Sequence, residues 1–222
     1  METHFEHELG SLKAQLLTMA SHAEKAVNEA VRALVNRDHD LAEKVRHDDE
    51  ILDRYEVEID EQAITVLAKA PLASDLRLVT VAMKICQNLE RVGDEASKIA
   101  KRARDLSEEV PVKLTVNLPG MAQLALGMLK ASLDAFVRRD TAAARALIPQ
   151  DKQVDALNKA IQAQLVEFMT RNPDTIARCL HLITAAKSLE RIADHAKNIA
   201  EEVVYLYEAQ DIRHTLKAPT VS

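Results

Sequence analysis

The sequence has 222 residues with a formal net charge of −6, 3% aromatic residues, four glycines and six prolines. Long helices suit this composition, which argues against a strand-rich fold. The acidic balance provides no basic surface for a phosphodiester backbone, so we expect no direct binding of nucleic acid.

The first half of the chain has the pattern of three helices. Apolar residues recur at helical spacing over about residues 5–35, 40–69 and 76–106. Asp38 or Asp40 is placed to cap the second helix, and Ser74 is the expected N-cap of the third. Residues 107–120 contain two prolines and a glycine and therefore indicate a connection to the second half.

The second half repeats this plan. Its apolar pattern predicts helices over about residues 121–139, 140–171 and 173–210. Asn172 is the expected N-cap of the last helix, with Pro173 at its first position. We therefore predict an all-α fold of two tandem three-helix bundles related by an internal repeat, over residues 1–110 and 115–210, followed by a mobile tail at 211–222.

One segment shows the repeat most clearly. The sequence from Asn88 to Ala100, NLERVGDEASKIA, returns from Ser188 to Ala200 as SLERIADHAKNIA. Each copy places a Glu four residues before an Asp, so two carboxylates lie on one side of a helix about one turn apart. The pairs are Glu90 with Asp94 and Glu190 with Asp194.

The third helix has an apolar seam predicted to face the core, formed by Ala82, Ile85, Cys86, Leu89, Val92, Gly93, Ala96 and Ile99. Glu90 and Asp94 flank this seam. The pattern predicts that Glu95 and Arg102 project into solvent, and that His195 lies on the outer face of the last helix.

The second helix has a matching row of carboxylates, formed by Asp49, Asp53, Glu56 and Asp60. The repeat keeps Asp151 and Asp155 but has Asn158 and Gln162 in the other two positions. If the two flanks face each other, they form candidate metal sites from Asp49, Asp53, Glu56, Glu90 and Asp94, and from Asp151, Asp155, Glu190 and Asp194. Such oxygen ligands suit Mg, Ca, Mn or Fe. Solvated acidic faces or structural ion pairs would produce the same spacing.

Sequence signals for catalysis are missing. No Glu has a His three residues later, as a ferritin-like di-metal oxidase requires, and no phosphate-binding loop or Ser-His-Asp grouping is visible. We therefore assign no catalytic residue. Cys86 and Cys179 lie in apolar helical stretches, which suits buried thiols in a reducing compartment. With no pattern of a signal peptide or membrane span, we expect a cytoplasmic protein.

The doubled Leu-Glu-Arg-(Val/Ile)-(Gly/Ala)-Asp segment and the turn PLASDLR at residues 71–77 resemble the phosphate-uptake regulator family, PhoU. The Asp-x-x-x-Asp pairs at 49 and 53 and at 151 and 155 also match this family. The resemblance implies two pseudo-symmetric bundles, a homodimer, and metal clusters of iron or zinc, with manganese or magnesium possible, held by these carboxylates. Asn158 and Gln162 depart from the acidic row of the first repeat, so we expect the second site to bind metal more weakly or to hold fewer ions.

The resemblance also implies a role. Proteins similar to PhoU link the cytoplasmic ATPase subunit of a phosphate ABC transporter to a membrane sensor histidine kinase and keep the phosphate-starvation response off. Such a protein is cytoplasmic and peripheral at the inner face of the membrane when bound to these partners. The sequence leaves two alternatives to a non-enzymatic adaptor: a metal-storage or metal-dependent hydrolytic protein, and a metal-free helical scaffold.

Overall fold

A computed structural model describes residues 4–69 and 73–213, and over these residues the chain forms seven α-helices and no strand. The helices are α1 (His4–Asn36), α2 (His39–Leu67), α3 (Ala73–Ser107), α4 (Leu118–Arg138), α5 (Thr141–Leu147), α6 (Asp151–Arg171) and α7 (Ile176–Glu208). The predicted all-α class is confirmed.

The two turns that follow α1 and α4 have the same construction. Arg37 and Arg139 both adopt the left-handed conformation, with φ of 56° and 57°. The next residue in each case is an N-cap. Asp38, one of the two caps considered for the second helix, accepts a hydrogen bond from the backbone N–H of Leu41, and Asp140 accepts one from that of Ala143. The repeat therefore includes the turn geometry as well as the helices.

Three local predictions were wrong. The fifth predicted helix is broken, because Pro149 lacks a backbone N–H and lies in a 3-10 turn over Ile148–Gln150 that separates α5 from α6. Asn172 does not cap α7, since its amide donates to the carbonyl of Phe168 and a second 3-10 turn at Pro173–Thr175 precedes that helix. Ser74 lies inside the first turn of α3, and the Pro71 turn falls outside the described residues.

Helices α1, α2 and α3 pack together as one bundle, and α4 to α7 form the second. The predicted seam of α3 is buried along its length, and Cys86 and Cys179 are both buried free thiols. Burial of this apolar surface is the main stabilising contribution to each bundle. None of the helices within the described residues has the length and apolar character needed to cross a membrane.

The two bundles meet along α3 and α7, which run antiparallel. Arg102 of α3 contacts His181, Asn88 contacts His195, and Lys84 contacts Glu202, so residue numbers fall along one helix as they rise along the other. Each of these helices therefore packs in its own bundle and also forms a wall of the other bundle.

Polar pairs in this interface repeat as a twofold axis between the bundles requires. Glu95 accepts a hydrogen bond from Ser188, and at the equivalent place His195 Nδ1 lies 3.0 Å from Asn88 Oδ1. The prediction that Glu95, Arg102 and His195 face solvent was therefore wrong. Glu95 is only 4% exposed. The error arose because each polar residue was placed relative to the core of its own bundle, while the second bundle covers that face.

Residues 211–213, at the start of the tail predicted to be mobile, fold back against α7. Glu202, 5% exposed, accepts from Lys84 Nζ at 3.0 Å and lies 3.5 Å from Nη1 of Arg213. Ile212 is also buried. A buried carboxylate needs such counter-charges, which explains why residues 211–213 fold back. Residues 214–222 lie outside the described residues.

Gly93 lies where α2 packs tightly against α3. A Cβ at this position would lie 2.2 Å from Leu52 Cδ1 and 3.3 Å from Asp49 Oδ1. We expect Gly93→Ala to lower the free energy of unfolding by about 1–2 kcal/mol, because overpacking outweighs the roughly 1 kcal/mol gained in helix propensity.

Gly127 of α4 is the matched control for Gly93→Ala. A Cβ there would meet nothing within 4 Å, so Gly127→Ala should raise the free energy of unfolding by up to about 1 kcal/mol. Urea denaturation of both variants measures the difference. Equal stabilisation by the two substitutions would show that Leu52 has room to move.

Candidate metal centres

The first acidic face lies where the polar flank of α2 meets that of α3. Asp49 accepts a hydrogen bond from Ser97 across the two helices. Further down, Glu56 lies within electrostatic range of Asp94. The structure therefore brings the predicted flanks together, and the face comprises Asp49, Asp53, Glu56, Asp60, Glu90 and Asp94.

The carboxylates of the first acidic face disfavour one another's ionised form. Burial raises the pKa of Asp49, and the charges of Asp53 and Asp94 raise it further, against a hydrogen bond that lowers it. The pKa of Glu56 and that of Glu90 are raised in the same way, by burial first and then by neighbouring carboxylates. A bound cation would therefore stabilise the ionised form of these carboxylates by offsetting their mutual repulsion.

Two cations contact this face. Arg91 Nη1 lies 3.2 Å from Asp94 Oδ2, and Lys98 Nζ lies 3.9 Å from the same oxygen. Both basic side chains are about half exposed, so solvent weakens these ion pairs. Six carboxylates against these two contacting cations leave the first acidic face with a substantial negative excess.

The second acidic face, between α6 and α7, comprises Asp151, Asp155, Glu190 and Asp194. Burial raises the pKa of Asp194, with the charge of Asp151 next in importance, and the pKa of Asp155 rises for the same reasons. Where the first face has Glu56 and Asp60, this face has Asn158 and Gln162, which hydrogen-bond to each other at 3.0 Å. The pair is neutral and partly buried.

Lysines neutralise more of the second acidic face. Lys197 Nζ lies 2.7 Å from Asp151 Oδ2, and Lys187 forms a close ion pair with Glu190. The positive charge of Lys159 also acts on Asp155. These lysine partners were not predicted, although the change from Ser97 to Lys197 between the repeats is visible in the sequence.

The donor chemistry of both faces suits hard cations, because carboxylate oxygens from two helices are opposed. A further sign is Asp151 Oδ1, which is buried and accepts no hydrogen bond. As the side chains stand, no group of three or more His, Cys, Asp or Glu residues within 4–69 and 73–213 is arranged to hold a metal ion. Binding therefore requires carboxylate side chains to move from these positions.

His195 lies in the interface between the two bundles and gives the stability of the protein a testable pH dependence. Burial lowers its pKa, and the charges of Arg91, Lys98 and Arg191 lower it further, against Glu95, which raises it. The folded protein therefore holds the neutral imidazole. Below about pH 6.5 the unfolded chain takes up the proton more readily, so this histidine makes the wild type lose stability as the pH falls.

We expect His195→Gln to cost about 1 kcal/mol near pH 7.5, where the hydrogen bond to Asn88 is intact. The cost should shrink as the pH falls to about 5.5, because the variant avoids the protonation penalty of the imidazole. Denaturant unfolding of both proteins across this range measures the difference. Parallel curves of stability against pH would contradict the prediction.

A comparison with protein-family models matches the description "PhoU domain" twice, over residues 16–103 and 118–203. These two segments contain all of the carboxylates in both acidic faces. The chain belongs to the PhoU family. Each match spans one of the two bundles, so the PhoU unit corresponds to the internal repeat found in the sequence.

Known PhoU proteins resemble this chain along nearly its whole length. A phosphate-specific transport system accessory protein PhoU homolog of Pseudomonas aeruginosa is 42% identical over 95% of this chain and 88% of that protein. The crystal structure of PhoU from P. aeruginosa superposes with a TM-score of 0.90, covering 93% of this chain and all of that chain. The crystal structure of the phosphate transport system regulatory protein PhoU from Streptococcus pneumoniae is 28% identical in sequence. It superposes with a TM-score of 0.87, covering 94% of this chain and 99% of that chain.

Proposed function

We propose that this chain is a non-enzymatic regulator of phosphate uptake. It acts as an adaptor between the cytoplasmic ATPase subunit of a phosphate ABC transporter and a sensor histidine kinase, and it restrains the phosphate-starvation response. The observation that carries the proposal is the match of both repeats to the PhoU domain, together with a 42% identical relative named as a transport system accessory protein.

The interior of the molecule supports an adaptor rather than an enzyme. Burial raises the pKa of the Cys86 thiol to about 12, so this sulfur is a poor nucleophile at neutral pH. His195 is engaged with Asn88 in the interface between the bundles, and Glu95 with Ser188. These polar groups contribute to the packing of α3 against α7.

We further propose that the acidic faces bind metal ions. The first acidic face is the stronger candidate, since its negative excess is the larger and its cations are exposed. Glu90, Asp94, Asp49 and Asp53 would supply oxygen ligands from α3 and α2, and a bound cation would offset the repulsion between these carboxylates. Iron, zinc, manganese and magnesium are the candidate ions.

Location and assembly form part of the same proposal. The chain works in the cytoplasm and reaches the inner face of the membrane through its partners. It assembles as a homodimer of the 24.7 kDa chain. Multi-angle light scattering of the purified protein tests the assembly, and a mass of one chain at all concentrations would overturn it.

The adaptor role is tested by retention of partners on the immobilised full chain. The transporter's ATPase subunit and the cytoplasmic part of the kinase are applied with and without inorganic phosphate, and with Mn²⁺ or a chelator. We expect both partners to be retained, with retention that depends on phosphate in the mixture. If neither partner were retained at any phosphate concentration, the adaptor role would be overturned.

Two variants connect the acidic face to this role. Asp53→Asn with Asp94→Asn removes two charges from the first acidic face, and Glu58→Gln removes one from an exposed position elsewhere on α2. If metal binding supports the adaptor, only the double variant should lose metal-dependent retention. A metal-dependent hydrolase would instead turn over phosphate esters and lose that turnover on Glu90→Ala, which would favour the enzymatic alternative.

A further inference from the structure

Two equivalent positions of the repeat differ in charge at the acidic faces. Position 97 of α3 corresponds to position 197 of α7, and Asp49 corresponds to Asp151. In the first bundle the neutral hydroxyl of Ser97 hydrogen-bonds to Asp49. In the second bundle the ammonium of Lys197 lies 2.7 Å from Asp151 Oδ2. The same place thus holds a neutral donor in one bundle and a cation in the other.

The surroundings of Lys197 keep its ammonium in this position. Asp151 is 6% exposed, so its ionised carboxylate needs a positive partner. The ammonium lies within electrostatic range of Asp194 and Glu201 as well as in contact with Asp151. It is therefore attracted by carboxylates of both α6 and α7.

A metal ion at the second acidic face would compete with this ammonium. Both are cations that draw their stabilisation from Asp151 and Asp194, and two positive charges at such close range repel each other strongly. The lysine is covalently attached, so its local concentration is high and independent of the metal supply. On the first acidic face Ser97 offers no such competition.

We propose that Lys197 is a built-in counter-cation that takes the place of metal at the second acidic face, so that the residue at this repeat position determines which bundle binds metal. This inference rests on the proposed metal binding of the first acidic face. Lys197 is a second reason for the two acidic faces to differ in metal binding, separate from the replacement of two acids by Asn158 and Gln162. It acts on Asp151, a carboxylate that both repeats retain.

The test exchanges the two residues. Metal-free full-length protein is dialysed against Mn²⁺, and bound ions are counted by elemental analysis for the wild type, Lys197→Ser and Ser97→Lys. We expect the wild type to bind at the first acidic face alone and Lys197→Ser to gain an additional ion per chain. Ser97→Lys should weaken binding at the first acidic face by at least about tenfold, since a fixed charge now opposes the ion.

Lys187→Ser is the matched control, because it removes a lysine of the same face that pairs with Glu190 and is about half exposed. It should leave the number of bound ions unchanged. If Lys187→Ser also gained a bound ion, the proposal would be overturned, since removing any lysine from this face would then be enough to allow metal binding. Ser97→Lys provides an independent arm if Lys197→Ser, which leaves Asp151 without its partner, fails to fold.

The remaining outcomes separate the two proposals. Full occupancy of both faces in the wild type, unchanged in Lys197→Ser, would overturn the role of Lys197 and leave metal binding intact. No bound Mn²⁺ in any of these proteins would overturn metal binding itself. A melting temperature that rises with Mn²⁺ more in Lys197→Ser than in the wild type would support the gain of an ion by a second readout.

Discussion

Alanine at Leu89 is expected to lower the free energy of unfolding by about 2–5 kcal/mol, and alanine at Leu189 by a similar amount. Both side chains are fully buried at equivalent positions of α3 and α7. Removing three carbons from either site loses transfer free energy and leaves a cavity that long, well-packed helices cannot fill. Chemical denaturation followed by circular dichroism measures the loss.

The same pair of variants reports on the coupling between the bundles. Because α3 packs along α7, damage to one bundle also weakens the wall of the other, and we expect each variant to shift a single unfolding transition. Leu124→Ala on α4 is the control, since this side chain is 38% exposed and should cost about 0.5 kcal/mol or less. Two separate transitions in Leu89→Ala would show that the bundles unfold independently.

The second large effect concerns metal. Free Mn²⁺ at about a thousand times its Kd is expected to raise the free energy of unfolding by about 4 kcal/mol, because the ion binds the folded chain. Asp49→Asn with Asp94→Asn should abolish this gain, since it removes one carboxylate of the first acidic face from each helix. Thermal unfolding with Mn²⁺ and with chelator measures both effects.

The metal-free form of this double variant gives a further check on the first acidic face. The raised pKa of Asp49 means that its ionised form opposes folding above that pKa, so the neutral amides should make the metal-free protein at least as stable as the wild type at pH 7. Glu58→Gln should respond to Mn²⁺ as the wild type does. A melting temperature of the wild type that chelator leaves unchanged would contradict the prediction.

Much of the fold follows from apolar spacing. The seam of α3 was predicted from its period, and its burial is confirmed from Ala82 to Ile99. The break at Pro149 escaped prediction because the apolar pattern runs on through the 3-10 turn with little change of phase. The spacing of apolar residues shows which face of a helix is buried. A single 3-10 turn hardly changes that spacing, so the break leaves little trace in the pattern.

The candidate site was only half predictable. Spacing placed Asp49 and Asp94 on the right flanks, because carboxylates beside a seam must lie near the next helix. The burial of Glu95 was not predicted, since Ser188 and Arg191, which contact it, lie in the other bundle. Lys197 was missed for a related reason: its contact with Asp151 depends on the relative height of α6 and α7, which loop lengths alone leave undetermined.

The antiparallel contact of α3 with α7 has the geometry of an isologous interface, in which one surface patch meets a copy of itself. Two separate single-repeat chains would form the same contact as a symmetric dimer. Every substitution in such a dimer would then appear in both copies, at the two positions that the twofold axis relates. Joining the copies in one chain removes that restriction. Gly93 and Ala193 are equivalent by the repeat, as are Ser97 and Lys197, and two identical chains could not differ at these positions. Covalent linkage is what allows the halves to specialise.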